Sequence, residues 1–217
     1  IYKIKDILHL KVKLKRKLNL NKYFIDKLLY MNDNQPQNFK IGPYQIINYK
    51  LENGLKVCLA QNNKCLSTSI CTLYNVGSAN EKVHLTGFAH LFEHLMFEGS
   101  KNVPKGKLFE SVFSVGGKLN GYTTQDHTAY YEVIPKDMIE SVLFMESDRM
   151  QNLNVTKENV DNQKKVVIEE KKQSYLNRPY GKIWLELFGL VYNSFEYNHP
   201  VIGDEKDIIN ADLNDFT

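Results

Sequence analysis

Long apolar runs are missing from this chain of 217 residues. No stretch reaches the roughly 18 consecutive apolar residues that a membrane-spanning helix needs, so no span is expected. Cysteine is scarce: Cys58, Cys65 and Cys71 are odd in number, crowd into one short region and form no Cys-x-x-Cys pair. An odd count without metal spacing favours reduced thiols buried in strands over a disulfide. The first thirty residues do not read as a secretory leader, because they interleave Lys with Ile, Leu and Val and hold neither an unbroken apolar core nor a small-residue cleavage site. The compartment is left open, with the cytoplasm favoured. Internal repeats and low-complexity segments are also absent.

What is present is unevenly charged. Residues 1–30 carry eight Lys and one Arg against two Asp, a net +7, which leaves −4 for the rest of a chain whose total is +3. Charge alone admits a nucleic-acid or membrane-surface arm. The pattern reads better as a basic N-terminal extension, residues 1–35, outside the fold, and no nucleic-acid partner is expected. Met31 opens a polar, start-like segment, and the last residues, ADLNDFT, read as the opening of a helix. Residues 36–217 are therefore expected to be one domain, incomplete at its C-terminal side.

Within that domain, a linker from Pro36 to Pro43 precedes strand-like segments at Tyr44 to Leu51, Leu55 to Ala60 and Leu66 to Val76. Glu52-Asn53-Gly54 predicts a hairpin between the first two. Further strands are expected at Lys118 to Thr124 and Thr128 to Ile134, and helices over 108–113, 137–150 and from Thr156 to Gln173. Strands first and helices later predict an α+β fold, an antiparallel sheet with helices packed on one face. Trp184 sits in an apolar helix from Ile183 to Val191 and reads as core.

The chemistry concentrates in Thr86 to Gly99, TGFAHLFEHLMFEG, where His90, Glu93 and His94 stand in the order His-x-x-Glu-His. Phe88, Ala89, Leu91, Phe92, Leu95, Met96 and Phe97 surround them, apolar about the whole circumference, which predicts a buried helix. Leaving a polar group unpaired there costs roughly 2–7 kcal/mol. A metal resolves the conflict: i and i+4 side chains lie about 5–6 Å apart, so both imidazoles can reach one ion. Zinc accepts imidazole nitrogen at about 2.0–2.1 Å. Glu93, rotated from the ligand pair, suits a base for the attacking water, and this order occurs among catalytic zinc motifs.

Catalytic zinc takes three protein ligands, so one more is expected. At about 100° per residue, Glu170 lies roughly 70° from the apolar direction of its helix and Glu169 roughly 170° from it. Taken alone, Glu170 is a boundary carboxylate that could pair with Lys171 or Lys172. Only the need for a third ligand advances it.

His90, Glu93 and His94, followed 76 residues after the second His by Glu170, occur with Gly77-Ser78, Asn120-Gly121-Tyr122-Thr123-Thr124, Glu146-Ser147-Asp148-Arg149-Met150, Asn177-Arg178-Pro179-Tyr180-Gly181 and His199-Pro200-Val201-Ile202-Gly203. From about residue 44 onward the chain resembles the pitrilysin/insulinase family of zinc peptidases, the inverzincins, and its bacterial members most. The resemblance implies a mitochondrial-processing-peptidase-like metallohydrolase domain in which His90, His94 and Glu170 bind one Zn²⁺ and Glu93 is the general base. It makes Lys118 to Thr124 the edge strand that takes an extended peptide by backbone hydrogen bonds, with Asn120, Gly121 and Tyr122 against the substrate and Asn120 nearest the scissile bond. Read by itself, Asn120 is a turn asparagine beside Gly121.

Two departures stand out. Many members carry an acid seven positions before the ligand Glu, supporting a metal His; here it is Gln163, whose carbonyl can accept the imidazole proton but adds no charge. Active members also close a chamber between two halves, and this chain holds most of one domain. The implied activity is a zinc endopeptidase acting on short or unfolded peptides, with a second half-domain as partner, in the same longer chain or a separate subunit. The alternative is a peptide-binding subunit or fragment that hydrolyses nothing without that half. Of the other histidines, His127 is expected at the surface and His199 in a structural role.

Overall fold

A computed structural model of the protein describes residues 37–42 and 44–216. The basic extension 1–35, the arm role weighed for it and Thr217 lie outside the described residues. The chain divides into two compact units, with the boundary between Leu66 and Ser67. Among the described residues no helix is long and apolar enough to cross a membrane.

The first unit is a three-stranded antiparallel sheet, β1 (Gln37–Ile41), β2 (Tyr44–Lys50) and β3 (Lys56–Gln61), in that order. The expected hairpin joins β2 to β3. Gly54 turns it with φ 87°, a conformation glycine adopts without steric cost, and Asn53 Oδ1 accepts from the Leu55 amide at 3.0 Å. The segment expected as a linker contains β1, which pairs from Gln37↔Asn48 to Ile41↔Tyr44. Its five residues alternate too briefly to declare themselves, and pairing with β2 makes the strand.

The second unit holds an antiparallel sheet in the order β4-β6-β5, formed by β4 (Ser67–Tyr74), β5 (Lys118–Thr123) and β6 (Thr128–Pro135). Helices α1 (Phe88–Leu95), α2 (Lys107–Phe113), α3 (Ile139–Asn152), α4 (Lys157–Lys171), α5 (Gly181–Val191) and α6 (Glu205–Asn210) complete it. This is the α+β arrangement of antiparallel strands and packed helices that the sequence predicted. Strand β6, central and apolar, is buried along most of its length. Thr156 starts α4, its side chain accepting from the Asn159 amide.

Two cores hold this unit. One joins Leu119 and Ile134 of the sheet to Leu108, Val112, Val142 and Met145 of α2 and α3. The other gathers Leu91 of α1, Val167 of α4, and Ile202, Ile208 and Ala211 near α6. Each such aliphatic side chain contributes about 1.5–3 kcal/mol by leaving water.

Buried charges tie the layers together. Asp148 of α3 accepts from Ser100 Oγ at 2.5 Å, from the Asn102 amide and Nδ2 at 2.9 and 2.6 Å, and from Asn152 Nδ2 at 2.8 Å. Burial opposes its charge, but these donors outweigh that and hold the carboxyl low. Arg149 Nη2 lies 2.6 Å from Glu146 and 3.6 Å from Glu132, and its guanidinium rests on the Tyr130 ring. Burial, reinforced by Glu146, pushes Glu132 up to about 8.

Two expectations are corrected. Trp184 is 62% exposed, with Ile183, Leu190 and Val191 also open, because no described residue covers that face of α5. The cysteines are free, as expected, but exposed: strand alternation turns Cys58 and Cys71 outward, and Cys65 lies in the segment between β3 and β4.

Candidate metal centre

The start of α1 is pinned from outside the helix. Glu81 accepts from the amides of Gly87 and Ala89 at 2.9 and 2.8 Å, a carboxylate placed where a helix N-terminus favours negative charge. His199 is buried against it, Nε2 3.0 Å from Glu81 Oε2 and Nδ1 2.7 Å from the Phe195 carbonyl. Asp207 accepts from both the amide and hydroxyl of Thr86. Gly203 packs so closely that a Cβ there would come within 2.4 Å of Gly87 Cα, which excludes a side chain.

With α1 fixed, its polar residues meet α4. His90 Nε2 is 3.8 Å and His94 Nε2 3.4 Å from Glu170 Oε2, and one potential donor atom from each residue lies within 4.8 Å of the others. Glu169, one position away, is exposed. Burial and the neighbouring His94 push His90 down to about 4, so its imidazole is neutral with a lone pair to donate. Burial opposes a charge on His94, but Glu170 outweighs it and raises the imidazole. The contact with His94 in turn holds the Glu170 carboxyl low. A tetrahedral ion with bonds of about 2.0–2.1 Å separates its ligand atoms by about 3.3–3.4 Å. The two imidazole-to-carboxylate distances, 3.4 and 3.8 Å, come near that, and two imidazoles with one carboxylate are a donor set that suits zinc.

Glu93 lies beside this group, 7% exposed, and its Oε2 accepts from Thr123 Oγ1 at 2.6 Å. Burial pushes its carboxyl up, against the pull of that hydrogen bond. Gly121 makes the room: a Cβ there would stand 3.0 Å from Glu93 Oε1 and 3.1 Å from the Tyr130 ring. Asn120 is exposed, accepts from the Gly121 amide at 2.9 Å, and lines a cavity of about 360 Å³ with Glu93, His94, Phe97, Phe109 and Gln163. Gln163 reaches His94, Oε1 to Nδ1 at 3.2 Å.

The structure thus gathers His90, Glu93, His94, Gln163 and Glu170, and sets Asn120 and Gly121 alongside. Tyr122 does not line that cavity; it is 44% exposed and rests against His127 and Tyr131. His127, expected at the surface, is half-buried with Nδ1 3.1 Å from Thr124 Oγ1. Thr123 carries no role of its own in the sequence reading, although period-two alternation from Leu119 through Gly121 puts it on the inner face with Glu93. Glu98, which accepts from Gln163, left no signal in the sequence.

The family model for Insulinase (Peptidase family M16) matches residues 56–182. Zinc protease PqqE of Helicobacter pylori is 32% identical over 167 residues, covering 76% of this chain and 38% of that protein. Cytochrome b-c1 complex subunit 1 of Bos taurus is 33% identical over 122 residues, covering 56% of this chain and 25% of that one. Among solved structures, a protease from Helicobacter pylori superposes with a TM-score of 0.74 at 29% identity, over 83% of this chain and 41% of that one. The chain spans less than half the length of each of these relatives.

Proposed function

Because this chain belongs to the insulinase family of peptidases, family M16, we propose that residues 36–217 form the catalytic domain of a zinc-dependent endopeptidase acting on short or unfolded peptides. His90, His94 and Glu170 would hold the ion. When bound, zinc supplies a Lewis acid that polarises the scissile carbonyl and acidifies water. Glu93 takes the proton of the attacking water and passes it to the departing amine. Thr123 holds one oxygen of that carboxylate and Gly121 leaves space beside the other. Strand β5 has a free edge among the described residues, where an extended peptide can add itself by main-chain hydrogen bonds. Asn120, Gly121 and Tyr122 would meet it there.

The observation that carries this reading is the convergence of two imidazoles from α1 and one carboxylate from α4, with a buried carboxylate next to them. A second reading rests on two other observations. One relative is named as a subunit of the cytochrome b-c1 complex and not as a protease, and the chain spans less than half of its relatives. On that reading the domain binds peptide and hydrolyses nothing until a second family half-domain, in the same longer chain or a separate subunit, is supplied.

Peptide turnover by the zinc-loaded chain, alone and with a complementing half, separates the two. The first reading expects cleavage that Glu93→Gln abolishes while zinc is retained. Cleavage surviving in that variant overturns the mechanism, and turnover appearing only with the added half favours the second reading.

A further inference from the structure

On the far side of His94 from Glu170, three side chains connect in series. His94 Nδ1 faces Gln163 Oε1 at 3.2 Å, Gln163 Nε2 donates to Glu98 Oε1 at 2.8 Å, and Lys105 Nζ donates to Glu98 Oε2 at 2.6 Å. We propose that Glu98 is a positioning residue for the metal: acting through Gln163, it fixes the tautomer and orientation of His94 and supplies the charge that the amide lacks. The inference rests on the zinc site proposed above.

A glutamine side chain has a donor end and an acceptor end, and alone it can face either way. An ionised carboxylate only accepts. Glu98, 7% exposed and paired to Lys105, therefore obliges Gln163 to turn its NH₂ toward it. The Gln163 carbonyl is left for His94, whose Nδ1 must then carry the hydrogen. Nε2 then faces Glu170, where the ion is expected to take the place of its hydrogen. Without Glu98 the amide is free to turn over, offer N–H to Nδ1 and move the imidazole proton onto Nε2, which blocks coordination. Hydrogen bonds in series also polarise one another, so negative charge at Glu98 is felt at the imidazole through the amide. His90 has no such support: its Nδ1 is buried without a hydrogen-bond partner among the described residues. Preorganisation of the ligand pair thus falls on His94, and Lys105, 60% exposed at the outer end, pairs with the buried carboxylate.

The test is zinc affinity, measured on this chain by titration against a competing chelator, with thermal melting of the metal-free form checking that each variant is folded. Glu98→Leu should weaken zinc binding about 10–100-fold, the usual cost of removing a partner behind a metal ligand. Gln163→Glu alone puts two carboxylates face to face and should bind zinc more weakly than wild type. The exchange Glu98→Gln with Gln163→Glu restores an acid–amide pair in reverse order and should return at least wild-type affinity. Nitrogen-15 shifts of His94 in the metal-free chain should show Nδ1–H in wild type and in the exchanged variant, and a mixture in Glu98→Leu. The relay is overturned if folded Glu98→Leu binds zinc within twofold of wild type, or if Gln163→Glu alone binds as tightly as the exchange. A wild-type chain that takes up no zinc overturns the site itself, a distinct failure.

Discussion

Helices α1 and α5 read alike in sequence, both short and mostly apolar, and they end in different surroundings. In α1, Leu91 and Leu95 are almost wholly excluded from solvent. In α5, Trp184 and Leu190 are 62% and 82% exposed. The difference lies in their neighbours. α1 is enclosed by α4 and by strands β5 and β6, and side chains from before and after it hold its first turn. The first residue before α5, Tyr180, is in the left-handed region at φ 61° and makes no side-chain cap. An apolar sequence states a demand for cover, and other parts of the chain decide whether the demand is met. Only where it is met do the polar residues of the helix become chemically informative.

The largest expected effect tests that contrast at its centre. Leu91→Ala should cost about 2–5 kcal/mol in urea denaturation, as a buried leucine does when truncated. Leu190→Ala should change stability by no more than about 0.5 kcal/mol. Equal losses would mean that α5 is covered in solution.

A pH signature should mark the buried side. Glu132 has an ordinary value of 4.5 when unfolded and is pushed up to about 8 in the fold. Below 4.5 both states hold its proton. Between 4.5 and about 8 the folded state holds one proton more, so stability should fall as pH rises, by at most about 1.4 kcal/mol per unit, and then level off. Denaturation between pH 5 and 9 should show that decline, and Glu132→Gln should flatten it. A decline unchanged in the variant would assign it to another group.

Smaller changes are expected at the two helix starts. Glu81→Ala removes two hydrogen bonds from α1 and leaves His199 Nε2 unpaired, which should cost about 1–3 kcal/mol. Tyr180→Gly relieves a left-handed residue before α5 and should gain about 0.5 kcal/mol. The smallest signal is spectroscopic. Trp184 is the chain's single tryptophan, so its emission should be that of a water-exposed indole and readily quenched by acrylamide. Blue-shifted, protected emission would bring α5 into line with α1.

What the sequence disclosed follows the same division. His90, Glu93 and His94 were legible because polar residues inside an apolar helix demand an explanation. Glu170 was legible only as the edge of a helical face, and its approach to the imidazoles depends on how α4 packs. Strand β1 was hidden because five mixed residues become a strand by pairing with β2. Thr123 could have been read from alternation along β5. Glu98 could not, since its bond to Gln163 joins positions 65 apart that meet only in the fold. Trp184 was misread because composition reports preference for burial and is silent about the neighbour that would provide it.

Zinc titration of the purified chain, followed by anomalous scattering at the zinc edge from crystals of the loaded protein, tests the central claim most directly. One ion per chain is expected, seated among His90, His94 and Glu170 and lost in His94→Ala. No zinc uptake, or an ion bound elsewhere with these three side chains apart, would contradict it.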